Sequence, residues 1–371
     1  MRNEAIFAES RLRCTSRSAT IPLQAPRQVC VEPLRPTTDP GEIGGIRLRG
    51  RLGQGGMGIV YYGITQDGEP VAVKMVSAEH LEKPEALARF EREVLAMEMV
   101  QGPRVANLLM ASEPGENPPW FAAEYVQGLN LAEFVVECGP LAVDLGAALG
   151  IGVAEALAEI HLAGILHRDL KPANILLGQD GPRVIDFGLA ALIQAPGTLT
   201  RTGEMLGTPV CMSPEQARHE EELTPAADVY SLGAVLAFAL TGRYPYVRPT
   251  APATLLAITD PSKPPDLGGI PDLLLETIAA MLAHSPAARP TVADVTGQLT
   301  KALAEAGHGD PGTARRRLAE ATYRERPNDP GPPQPPAARP PRIPKNPRVP
   351  SALVAQLAER MRGDYARDAR F

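Results

Sequence analysis

Residues 167–174, His167-Arg168-Asp169-Leu170-Lys171-Pro172-Ala173-Asn174, join a long Ala/Leu-rich stretch ending near Leu162 to a short apolar run, Ile175-Leu176-Leu177. The proline and the polar residues put this segment in a loop between a helix and a strand. Asp169 and Asn174 lie five residues apart in it. One carboxylate can therefore face a hydroxyl while one amide oxygen faces a metal ion. Lys171 follows two residues after Asp169, placed to neutralise charge on a phosphoryl group. Twelve residues after Asn174 comes Asp186-Phe187-Gly188, behind the strand-like pair Val184-Ile185. An acidic residue at a strand end can share a divalent cation with Asn174.

Upstream, Gly53-Gln54-Gly55-Gly56-Met57-Gly58 is a GxGxxG that says little alone, because dinucleotide-binding folds use the same spacing before a helix. Here the sequel IVYYG is strand-like, and Gln66-Asp67-Gly68-Glu69 turns the chain into a second strand, PVAVKMV. A glycine-rich turn between two strands is either a flexible hairpin or a cover over phosphates that offers N–H groups with no Cβ in the way. The strand period of two sets Val71 and Val73 on one face and Ala72 and Lys74 on the other, under the glycine turn. Residues 85–100 place Leu87, Phe90, Val94 and Met97 at helical spacing. Glu93 flanks that stripe, 19 residues after Lys74, and is the carboxylate best placed to hold the ammonium, whereas Glu91 should face solvent.

Composition bounds the rest. The 371 residues are 44% hydrophobic and 22% charged, ordinary for a globular chain, with a net charge of −6. Gly312 to Phe371 carries 13 Arg and Lys against 6 Asp and Glu, so a basic end follows an acidic body, an argument against nucleic-acid binding. Cys14, Cys30, Cys138 and Cys211 show no CxxC pairing, which disfavours a zinc site or a disulfide framework and points to a reducing, cytoplasmic location. The longest apolar run, Leu145 to Ala154, has ten residues, short of the roughly 20 a membrane span needs. Residues 1–44 lack a sustained period and read as a disordered leader. A strand-rich lobe follows over about 45–126 and a helix-rich lobe over about 127–303, with helical stretches at 129–162, 226–240, 273–282 and 292–303. Residues 304–350 read as a basic linker with one short helix, ARRRLAEATYRER, before a run from Pro327 to Pro350 in which 11 of 24 residues are proline. Residues 351–371 spell a short amphipathic helix, with Leu353, Leu357 and Met361 four apart and Ser351 at its cap.

The ordered set GQGGMG, AVK, Glu93, HRDLKPAN, DFG, GTPVCMSPEQA at 207–217, DVYSLG at 228–233 and Arg289 resembles the eukaryotic-type (Hanks-type) serine/threonine protein kinases of bacteria, in an actinobacterial-like form. The likeness runs from about Ile46 to Leu303. It implies an α+β, bilobal protein-kinase fold, with an antiparallel N-lobe sheet plus one helix and a mainly α-helical C-lobe. It also implies ATP and Mg²⁺ (or Mn²⁺ in its place) as cofactors. Leu52, Gly53, Gly55, Gly58, Val60 and Ala72 would then surround the nucleotide. Lys74 would hold the α and β phosphates and be locked by Glu93, while Asn174 and Asp186 hold the metal. Asp169 would accept the hydroxyl proton, and Lys171 would stabilise the transferring phosphoryl. By the same resemblance Glu215 pairs with Arg289, and Asp228 caps the catalytic loop. Arg168 pairs with a phosphothreonine. Ser213 departs from the common alanine, and Gln101 to Met110 lacks the usual His-Pro.

In WFAAEYVQG, the resemblance makes Glu124 to Val126 the hinge for adenine and Ala123 the residue behind the pocket, smaller than most kinases carry. Thr200 and Thr202, with Thr198, become the candidate autophosphorylation sites between Ala190 and Gly207, and DLKPxN with Thr208 favours Ser/Thr acceptors. The expected partners are protein substrates and the chain itself, with a homodimer open to it and no nucleic acid or membrane span. Runners-up are a non-catalytic scaffold (a pseudokinase) and a small-molecule phosphotransferase sharing the HxDxxxxN loop. The PxxP-like runs and Arg315 to Arg317 read chiefly as a soluble linker; recruiting a partner, meeting an anionic surface or docking on the acidic body are the alternatives.

Overall fold

The structure, a computed structural model, describes residues 31–55, 58–81, 84–113, 115–186, 209–307 and 309–325. The strand-rich part is one antiparallel sheet in the order β1-β2-β3-β4-β6-β5, formed by β1 (Glu42–Ile43), β2 (Ile46–Gln54), β3 (Gly58–Ile64), β4 (Pro70–Val76), β5 (Leu108–Ala111) and β6 (Trp120–Glu124). The Asp67-Gly68 turn joins β3 to β4 with Gly68 at φ +89°, a left-handed backbone that glycine adopts freely. Strand periodicity divides the sheet as expected: Val71, Val73 and Met75 pack with Ile46, Leu48, Tyr61, Trp120 and Ala122 on one face, leaving Ala72 and Lys74 on the other. A short helix α1 (Ala78–Leu81) leads to α2 (Pro84–Met99), which buries Phe90 and Met97 against the second face.

The helical part is built on α3 (Leu131–Cys138), α4 (Val143–Leu162), α5 (Pro214–Ala217), α6 (Pro225–Thr241), α7 (Ala251–Thr259), α8 (Asp272–Met281), α9 (Val292–Glu305) and α10 (Pro311–Thr322), with one hairpin, β7 (Ile175–Gly178) and β8 (Gly181–Val184). Every residue of α6 from Ala227 to Leu240 is buried, the mark of a helix enclosed by the core on all sides. It lies close to α4 because α4 is thin there. A Cβ on Gly150 would stand 2.6 Å from Leu299 and 3.1 Å from Leu236, so α6 and α9 approach where only glycine fits.

Two expectations about the flanks differ from the structure. The sequence places residues 31–44 in a disordered leader, yet they lie against β2 and β3. Glu32 and Arg51 exchange backbone hydrogen bonds (2.9 and 2.7 Å), and Asp39 takes hydrogen bonds from Arg51 Nε (2.7 Å) and Nη2 and from Tyr61 Oη (3.0 Å). Asp39 has a fully buried side chain, and its pKa falls to about 2, chiefly through the Arg51 hydrogen bond. At the other end packing does not stop at Ala304. Helix α10 starts on an Asp310 cap and Pro311, and buries Ala314, Leu318, Ala319 and Thr322 against α4 and the β7–β8 hairpin. Arg317 reaches Asp144 (3.0 Å) and Arg315 reaches Glu155 (3.7 Å), so this part of the basic segment docks on the acidic body. Residues 1–30 and 326–371, including the proline run and the C-terminal amphipathic helix, lie outside the described residues.

Candidate active site

The β7–β8 hairpin explains how residues far apart in sequence meet. Ile175 pairs with Val184, and the Ile185 N–H donates to the Asn174 carbonyl (3.0 Å), so Asn174 and Asp186 leave the same end of the hairpin. Between α4 and β7, Lys171 Nζ donates to Asp169 Oδ2 (2.6 Å), and Asn174 Nδ2 donates to the Asp169 carbonyl (2.9 Å) and to Oδ2 (3.3 Å). Beneath the loop sits the buried Asp228 of α6. It accepts the His167 and Arg168 N–H groups (2.9 Å each) and lies 2.7 Å from His161 Nε2. Burial alone would raise the Asp228 pKa, but these hydrogen bonds and the neighbouring histidines outweigh it and hold the carboxylate below its ordinary value. His167 is fully buried, and burial pushes its pKa down, keeping the imidazole neutral. Arg168 (φ +62°) and Asp186 (φ +54°) occupy the left-handed region, a strained conformation for non-glycine residues that collects at functional sites.

The sheet supplies the opposite wall. Register places Val60 across from Lys74, Lys74 across from Phe121 and Ala72 across from Ala123, so these side chains share one face. Lys74 Nζ donates to Glu93 Oε1 and lies 3.4 Å from Asp186 Oδ1. Burial would lower the lysine's pKa, but the Asp186 and Glu93 carboxylates outweigh it and raise it above the ordinary value. Glu91 is exposed and Glu93 buried, matching the helical reading. At the glycine turn, a Cβ on Gly58 would stand 2.0 Å from the Met75 carbonyl, so that position is closed to side chains by the sheet itself. Gly53 and Gly55 have nothing within 4 Å of a Cβ site, leaving their backbone open to a close ligand; Gly56 and Met57 lie outside the described residues.

At the cleft's rear, Ala123 is buried, and Leu52, Glu124 and Val126 are partly buried. Among the described residues nothing hydrogen-bonds to Val126. The Glu124 carboxylate turns away from the cleft, accepting from Arg183 Nη1 (2.7 Å) and Asn107 Nδ2 (3.1 Å), while Asn107 also brackets Gly102 through its N–H and carbonyl (3.0 and 3.3 Å). This network orders the loop that lacks the His-Pro. A Cβ on Gly102 would stand 2.0 Å from Glu159 Oε2, so the Glu159 carboxyl fills the space a side chain would take. The buried Arg104 bonds Glu155 (3.0 Å) and the Asp180 carbonyl (3.1 Å). Sequence reasoning missed Asn107, Arg183 and Arg104, and also Gln216, whose Nε2 donates to the Arg168 carbonyl at 2.7 Å. Glu215 and Arg289 meet in a bidentate pair (2.6 and 2.8 Å), with the guanidinium 4.9 Å from the Tyr230 ring centre. Phe187, Gly188, Thr198, Thr200, Thr202 and Thr208 lie outside the described residues.

A curled antiparallel lobe, a helical lobe and a cleft with a paired lysine on one wall and a carboxylate–lysine–amide loop on the other define the class: a bilobal protein of kinase architecture. The sequence profile of the protein kinase domain matches residues 46–299, and the chain belongs to that family. It is similar to the probable serine/threonine-protein kinase PkwA of Thermomonospora curvata (43% identity over 73% of this chain and 36% of the relative). Serine/threonine-protein kinase AfsK of Streptomyces coelicolor is 43% identical over 76% of this chain and 35% of its own length. The chain thus spans about a third of the length of these curated relatives. Among solved structures it is similar to the Mycobacterium tuberculosis PknI kinase domain (TM-score 0.55, 26% identity, 70% of this chain and 96% of that one). Rad53 in complex with AMP-PNP gives a TM-score of 0.56 at 26% identity, covering 68% of this chain and 64% of that one. Among the described residues no helix is long and apolar enough to cross a membrane.

Proposed function

We propose that this chain is a serine/threonine protein kinase that transfers the γ-phosphoryl of ATP to protein hydroxyls. The observation that carries the reading is the Lys74 ammonium held between Glu93 and Asp186, across the cleft from the Asp169–Lys171–Asn174 loop. The residues fit the nucleotide and its metal. Gly53 and Gly55 leave their backbone open, and Asp186 has a half-exposed side chain. Asn174 commits its amide nitrogen to Asp169, leaving its oxygen as a donor to a hard cation. A bound Mg²⁺ would supply charge neutralisation at the phosphates through Asp186 and Asn174.

Asp169 orients the acceptor hydroxyl and takes its proton as the hydroxyl oxygen bonds to the γ-phosphorus. The bond from that phosphorus to the bridging oxygen breaks, and the electron pair leaves with ADP. Lys171, already on Asp169, meets the negative charge of the group in transit, and Lys74 holds the α and β phosphates in line. Leu52, Val60, Ala72 and Ala123 enclose adenine, and the Glu124 carbonyl and Val126 N–H bond it. Once Thr198, Thr200 or Thr202 has been phosphorylated, by a second copy or by the same chain, the Arg168 guanidinium pairs with the phosphothreonine. The free thiols of Cys138 and Cys211 suit a reducing, ATP-containing cytoplasm. Labelled ATP offered with a generic basic protein or with an aminoglycoside tests the reading: transfer goes to the protein, and Asp169→Asn or Lys74→Met lowers it at least about 100-fold. Full activity in either variant, or transfer to the aminoglycoside alone, overturns it. Mass spectrometry of 190–207 after incubation with ATP locates the self-modified threonine.

A further inference from the structure

The backbone of Arg168 is gripped on both sides of its Cα, at its N–H and at its carbonyl. Arg168 sits at φ +62°, where a residue with a side chain does not rest unaided, and Asp169 follows directly. On one side Asp228 accepts the Arg168 N–H at 2.9 Å. On the other, Gln216 Nε2 donates to the Arg168 carbonyl at 2.7 Å. The Gln216 amide is oriented unambiguously, because its oxygen accepts the buried Ser213 N–H (3.1 Å); reversed, it would set two oxygens against each other at Arg168. Gln216 is 6% exposed and belongs to α5, whose neighbouring Glu215 is clamped by Arg289.

We propose that Gln216 is a positioning residue: it fixes the Arg168 carbonyl, and through it the direction of Asp169, so that the anchored end of the segment before α5 reports on the catalytic carboxylate. This rests on the kinase reading above. Lys74, Asp186 and the glycine turn do not touch Gln216, so losing its hydrogen bond alters proton acceptance at Asp169 and leaves nucleotide binding intact.

The test uses the full chain with three substitutions. Gln216→Met keeps the shape and removes the donor. Gln216→Glu keeps the acceptor for Ser213 and donates to Arg168 only when protonated. Ser213→Ala removes the hydroxyl that accepts the Gln216 N–H (3.4 Å) and leaves the side-chain donor. Gln216→Met, which also takes the acceptor from the buried Ser213 N–H, should lower kcat about tenfold with the KM for ATP within about twofold of wild type and a melting temperature lowered by only a few degrees. Burial against the Arg168 carbonyl and beside Glu215 raises the pKa of the new carboxyl in Gln216→Glu toward neutrality, so its kcat relative to wild type should fall as pH rises from about 6 to 8.5 and the proton is lost. Ser213→Ala should stay within about twofold of wild type. Amide hydrogen exchange over 166–170, read on the same proteins, should quicken in Gln216→Met. Unchanged exchange, a kcat equal to wild type, or a Gln216→Glu profile parallel to wild type overturns the proposal. An inactive wild type whose exchange still quickens in Gln216→Met sinks the kinase reading and the catalytic role, and isolates the anchor as purely structural.

Discussion

Glu215 and Arg289 meet where neither side chain reaches water, 4% and 0% exposed. Glu215→Ala would strand a buried guanidinium, and we expect a loss of about 3–5 kcal/mol in urea unfolding at neutral pH. Burial alone would raise the Glu215 pKa, but the Arg289 hydrogen bonds outweigh it and hold it below its ordinary value. Its contribution is therefore full above that value and drains as pH falls through the lowered one, so the deficit of Glu215→Gln should shrink in acid. Ala123, buried and paired across strands with the small Ala72, leaves room behind adenine. Inhibitors with a bulky aromatic extension should bind the wild type and lose about 10- to 100-fold in affinity on Ala123→Met, measured by calorimetry. Lys74 and Glu93 were legible in the sequence because each rides a periodic element that fixes its direction. Arg51 with Asp39, 12 residues apart, and Arg183 with Glu124, 59 apart, were not: each joins isolated polar residues that no period connects.

At the scale of elements, the alternation of the strands and the Ala/Leu helices could be read directly, whereas α7 and the docking of α10 could not. Helix α10 carries one large apolar residue on its buried side, Leu318, among Ala314, Ala319 and Thr322, too faint a stripe to announce a packing face. Yet Leu318 is fully buried, while the ion pairs of Arg315 and Arg317 are part-exposed. The apolar contact should dominate. Leu318→Ala is expected to cost about 2–5 kcal/mol, whereas Arg317→Ala should cost less than about 1 kcal/mol. Urea titrations of the two variants side by side check the order; a larger loss for Arg317→Ala would mean charge holds the helix.

At the scale of the molecule, the family profile covers residues 46–299, but the packed body runs from residue 31 to residue 325. The motifs made the two-lobed plan and the cleft legible; they were silent on the flanks, which carry no motif and hold by scattered contacts such as Asp39 on Arg51 and Leu318 on the helical core. That has a practical side for anyone expressing the protein. A fragment trimmed to residues 46–299 would uncover the strip of α4 and the hairpin that α10 shields, turning an interior surface into an adhesive exterior one. Such a fragment should self-associate in size-exclusion chromatography at concentrations where a fragment of residues 31–325 elutes as a smaller, discrete species.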